Sequence, residues 1–66
     1  MDIKFPDVHV RLSDEDGNAF FIIGRVTSAM KRGGVPAADI STYRDEAMGG
    51  DYDHLLQVTM RTVAVA

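Results

Sequence analysis

The chain has 66 residues, 45% of them hydrophobic and 26% charged, a balance too apolar for a disordered segment and too short for more than one domain. A domain of this size buries only about 60% of the surface that its unfolded chain exposes. With no cysteine it cannot add a disulfide, so association with a partner or with itself is the expected source of extra stability. The net charge of −3 argues against a protein whose main task is gripping phosphate backbones.

Charge is unevenly distributed. Met1 to Asn18 carry five acids against Lys4 and Arg11, and Pro36 to Asp53 carry five acids against Arg44. Between them the only charges are Arg25, Lys31 and Arg32, so a basic segment lies between acidic ones. The opening "MDIKFPDVHV" has acids at both ends and lacks the apolar run of a signal peptide. The longest apolar run, "AFFIIG", is far below the ~20 residues that cross a bilayer. A soluble, intracellular protein with no membrane partner is the expectation.

"FPDVHVRL" alternates, with Val8, Val10 and Leu12 on one side and His9 and Arg11 on the other, the period of a half-buried strand. Pro6 cannot donate a ladder hydrogen bond, so pairing is expected to begin after it. "SDEDGN" reads as a turn in which Asn18 or Asp16 caps a following helix. It is not a calcium loop, because Leu12 and Ile23 occupy two of the ligand positions counted from Gly17.

From Ala19 to Lys31, Ala19, Ile22, Ile23, Val26, Ala29 and Met30 share one arc of a helical wheel, and Arg25, Ser28 and Lys31 lie opposite. "RGGV" closes this amphipathic helix through a left-handed glycine, with basic residues at the negative end of the dipole. Pro36 suits the first turn of the next helix, Ala37 to Met48, whose stripe of Ile40, Tyr43 and Ala47 is narrow. Asp39, Thr42, Asp45 and Glu46 face away from that stripe.

Gly49 and Gly50 end the second helix, and Asp51 is placed to cap a third. Its expected inner face is Tyr52, Leu55, Leu56, Thr59 and Met60, with Asp53, Gln57 and Arg61 outside. The tail "RTVAVA" is β-branched and alternating, so a short final strand is expected. The predicted fold is α+β, a compact β-α-α-α-β domain of three short helices whose terminal strands pair as a two-stranded sheet of undetermined sense.

Chemistry-bearing clusters are few. Within "GGDYDHLL", Asp51 and His54 are three apart on one helix and form a weak metal pair, with Asp53 near, but no third and fourth ligands are evident. Each residue also has a structural reading: Asp51 caps, Asp53 favours the helix dipole, and His54 sits at the polar edge. No nucleophile context surrounds Ser13, Ser28 or Ser41, and Gly33 and Gly34 lack the rest of a phosphate loop. No enzyme activity and no cofactor are expected.

Two surfaces remain. Arg25, Lys31 and Arg32 make a basic stripe, and helix, turn, helix can read DNA; the helix after the turn, however, offers Asp39, Asp45 and Glu46, which phosphates repel. Phe21 falls beside Arg25 and the polar side while Phe20 falls at the edge of the core stripe, so one of them is either an exposed interface anchor or packed on a second side.

With "DGNAF", "GRVTSAMKRGGVP" and "GGDYDHLL" placed, the chain resembles a family of small uncharacterised proteins encoded by bacteriophages, plasmids and other mobile elements of bacteria, notably actinobacteria. The resemblance runs from Asp16 to Val65. Phe21 stands where the family has a smaller residue, and Gly49 where serine is usual, which points to a surface peculiar to this member. The family has no established activity, so the resemblance implies a genomic setting and little mechanism. The expected function is therefore a non-enzymatic interaction module that binds a host or phage protein, or itself as a homodimer, through Phe21, Arg25, Lys31 and Arg32. The alternative is a nucleic-acid-associated regulator using the basic first helix.

Overall fold

The computed structural model describes residues 3–11 and 19–65. Strand β1 (Phe5–Val10) is followed by helices α1 (Ala19–Arg32), α2 (Ala37–Ala47) and α3 (Tyr52–Thr62), and the chain returns as strand β2 (Val63–Val65). The two strands pair in parallel. Parallel strands need a long crossover, and here all three helices supply it. The expected turn and caps in "SDEDGN", and Leu12 on the strand, lie outside the described residues.

Pairing departs from expectation at Pro6. It begins at Phe5, opposite Val63, and is then irregular until His9 pairs with Ala64 and Val10 with Val65. A proline without an N–H sits within the irregular stretch, which is where a missing ladder donor is tolerated. The Lys4 N–H donates to the Arg61 carbonyl at 3.0 Å, extending the contact in front of the proline. Val8 and Val10 are buried and Asp7 and His9 exposed, as the alternation predicts.

Helix α1 buries Ile22, Ile23, Val26, Ala29 and Met30, the arc read from the wheel. It ends in a Schellman arrangement: the Val35 N–H reaches the Met30 carbonyl at 3.0 Å and the Gly34 N–H the Lys31 carbonyl at 3.2 Å. Gly34 has φ +80°, the left-handed conformation that the motif demands. Gly33 is there for room, since a Cβ on it would stand 3.0 Å from Cγ2 of Val8. This close approach lets β1 lie against the end of α1.

Pro36 takes the N-cap of α2 rather than its first turn, with φ −58° and an extended ψ of 144°. Its carbonyl accepts from the Asp39 and Ile40 N–H groups at 3.0 and 3.2 Å. Tyr43 and Ala47 are buried and Ile40 partly so, the narrow stripe expected of α2. The N-cap of α3 is Asp51, whose carboxylate accepts from the His54 N–H at 2.9 Å.

The inner face of α3 is corrected. Leu55, Val58 and Thr59 are buried, whereas Tyr52 is 43% and Met60 53% exposed. The arc is rotated toward Val58 because α3 must meet both α2 and the strand that follows it without a linker. The helix also runs through Arg61 and Thr62, and the strand begins at Val63. The Thr62 hydroxyl donates back to the Val58 carbonyl at 2.7 Å, and the Val63 N–H to the Thr59 carbonyl, which carries helix directly into strand.

One core unites all elements: Val8, Val10, Val26, Met30, Tyr43, Leu55, Val58 and Val63 are among its buried members. A buried polar pair joins α2 to α3, the Tyr43 hydroxyl lying 2.7 Å from Oγ1 of Thr59. Burial pushes the Tyr43 pKa up and the Thr59 hydrogen bond offsets this in part. The neutral phenol is thus favoured by folding; its contribution is complete below the ordinary tyrosine pKa of about 10 and is lost as pH climbs through the higher folded value.

Thr59→Val should cost about 1–3 kcal/mol by stranding the Tyr43 hydroxyl, and adding Tyr43→Phe should recover part of that loss. Urea unfolding of the two single variants and the double variant measures it. Tyr43→Phe should also flatten the decline in stability above about pH 10.

Candidate functional site

The outward arc of α1 follows from its inward one. Once Ile22, Ile23, Val26, Ala29 and Met30 turn to the core, the 3.6-residue period sends Phe20, Phe21, Gly24, Arg25, Ser28, Lys31 and Arg32 to the surface. All seven are exposed. Phe20 is 73% and Phe21 39% exposed, so both aromatics, rather than one, stand on the surface.

The Arg25 guanidinium carbon lies 5.6 Å from the centre of the Phe21 ring. Their spacing of four places the cation over the face of the aromatic, an attraction of about 0.5–1 kcal/mol at an exposed site. Phe20, Phe21, Gly24, Arg25, Ser28 and Arg32 together line one shallow depression. A second lies between α1 and α2, with Ser28 and Lys31 on one bank and Ile40, Ser41 and Arg44 on the other. Among the described residues, none of Arg25, Lys31, Arg32 and Arg44 is ion-paired. Of the three acids of α2, Asp45 and Glu46 are exposed and Asp39 half-buried, and none of them lines this second depression.

The structure thus brings Phe21, Arg25 and Arg32 onto one face and sets Lys31 on its edge toward α2. Arg44 joins the basic surface although its sequence neighbours are acidic. A helical wheel of α2 alone could not have found it, because its place depends on which side of α2 meets α1.

The weak metal pair resolves differently. His54 Nε2 lies 3.0 Å from the Glu46 carbonyl oxygen. A carbonyl only accepts, so the ring carries its proton on Nε2 and ties the first turn of α3 to the last turn of α2. Oδ1 of Asp51 is engaged by the His54 N–H. Among the described residues, no group of three or more His, Cys, Asp or Glu is arranged to hold a metal ion. Gly50 belongs to the same device: a Cβ there would stand 2.7 Å from two ring carbons of His54 and 2.9 Å from its Cβ. "GGDYDHLL" is a corner in which glycine makes room for the histidine that closes it.

That corner meets the start of α1. Ala19 and Phe20 of "DGNAF" and Gly50, Asp51, Tyr52 and Leu55 of "GGDYDHLL" line one cleft, with Met48 exposed at its lip. Among the described residues, no helix is long and apolar enough to cross a membrane.

Gly50→Ala should cost about 1–3 kcal/mol by overpacking against the His54 ring. In a His54→Ala background the same change should cost clearly less, which thermal unfolding of the four proteins in the cycle reads directly. Zinc or manganese should leave the melting curves of wild type and His54→Ala unshifted.

A scan against protein-family models and searches of curated proteins and of solved structures gave no significant match, so the geometry of this chain is what bears on its function.

Proposed function

We propose that this chain is a non-enzymatic protein-interaction module of a bacteriophage or mobile element, acting in the host cytoplasm, which binds a host or phage protein or itself through the outward face of α1. The observation that carries this reading is Phe21, an exposed aromatic held beneath Arg25 on the face of α1 opposite its buried arc. Aromatic and arginine side chains are the residues that most often anchor interfaces. A domain of 66 residues without cysteine also gains most from a partner.

A nucleic-acid-associated regulator is the second reading, favoured by Arg25, Lys31 and Arg32, none of which is ion-paired among the described residues. The acids of α2 and the net charge of −3 oppose it.

A tagged full-length chain, presented to a bacterial lysate beside Phe21→Ala and Arg25→Glu variants of unchanged circular dichroism, should retain a specific protein that both variants lose, or should show a solution mass above the 7.2 kDa of one chain. A monomer that retains nothing in a Phe21-dependent way contradicts the reading. Duplex DNA that shifts at low salt, and ceases to shift with Arg25→Glu and Arg32→Glu, would move the assignment to the second reading.

A further inference from the structure

Gly24 sits in the interior of α1, where glycine is less favourable than alanine, and a Cβ on it would meet nothing within 4 Å. Among the described residues, then, no neighbour demands glycine at this position. Close approach of another backbone is a use to which a glycine on an exposed helix face is suited.

The residues around Gly24 describe what approaches. Phe21 and Arg32 are eleven residues apart, three helical turns and a small remainder, so they occupy the same flank of the outward face at its two ends. Phe20 and Lys31, also eleven apart, occupy the other flank. A two-fold axis at the level of Val26 then sets Gly24 of one chain against Ser28 of a second copy, Phe21 against Arg32, and Phe20 against Lys31. Each match holds within about one 1.5 Å helical rise. In a two-fold interface, a contact between two positions is made twice, so each aromatic meets a cation and each cation an aromatic.

Resting on the reading of α1 as an interaction surface, we infer that its occupant is the α1 helix of a second copy, crossing antiparallel at Gly24 and Ser28. Both halves of an aromatic–cation pairing are present on one face in two-fold register, which neither an acidic helix nor a phosphate backbone requires. Arg25 of each chain lies near the axis on the flank of its own Phe21, so like charges face each other there. This repulsion gives the dimer a signature: salt screens it and strengthens association, whereas salt weakens the grip of a basic face on acidic peptides or nucleic acid. A single pair of fourteen-residue helices is a small interface, so the dimer is concentration-dependent.

The test is sedimentation equilibrium of the full chain over a range of concentrations and salt. Its mass should rise toward twice 7.2 kDa with concentration, and more readily at high salt. Gly24→Gln should raise or preserve the melting temperature yet weaken association by about tenfold or more. Phe21→Arg alone should weaken it by about tenfold, and Phe21→Arg with Arg32→Phe should restore it by exchanging the two halves of the pair. A monomer throughout, association that falls with salt, or a double variant no better than the single one overturns the inference. So does a chain that associates only when polyglutamate or a duplex oligonucleotide is added. If it is overturned while a protein is still retained in a Phe21-dependent way, the interaction-module reading stands and only the identity of its occupant is changed.

Discussion

The parallel pairing of β1 with β2 is the constraint on which the rest of the structure depends. Two strands pointing the same way cannot be joined by a tight turn, so the chain between them must cross the domain and return. A two-stranded sheet is also marginal alone and needs a packed face. Both demands are met by three helices whose inner arcs close over Val8, Val10 and Val63. Gly33 lets β1 approach the end of α1, Gly34 turns the chain toward α2, and the direct passage from Thr62 to Val63 delivers β2 in place.

Corners carry much of the precision. The α1–α2 corner is made by backbone hydrogen bonds and one left-handed glycine, while the α2–α3 corner is made by side chains, Asp51 on the His54 N–H and the His54 ring on the Glu46 carbonyl. Between these corners, Tyr43 and Thr59 fix how α2 lies on α3. Hydrophobic area alone would allow the helices to slide; a buried hydroxyl pair that must remain satisfied does not.

Much of this was legible from residue order. The inner arc of α1, the narrow stripe of α2, the Asp51 cap and the meeting of the terminal strands follow from local periodicity and cap chemistry, which depend on neighbours in sequence. What periodicity missed depends on neighbours in space. The wheel of α3 could be drawn with Met60 or with Val58 inside, and only the position of β2 at its end decides for Val58. Pairing at Phe5, ahead of the proline, rests on Arg61 and Val63, more than fifty residues away. His54 was visible as a residue at a polar edge, but its acceptor, a backbone carbonyl on another helix, has no side-chain signature. The candidate surface divides in the same way: Phe21, Arg25, Lys31 and Arg32 could be read from the wheel, whereas Arg44 and the exposure of both phenylalanines required the packing.

The core takes one arc of α1, and the proposed interaction uses the other. The direct measurement is an amide-resolved NMR dilution series of the full chain, from millimolar to micromolar concentration. The account predicts concentration-dependent shifts centred on Gly24 and Ser28 and running along residues 20–32, with the amides of β1 and β2 unmoved. Shifts centred on the strands, or none anywhere across the series, would contradict it.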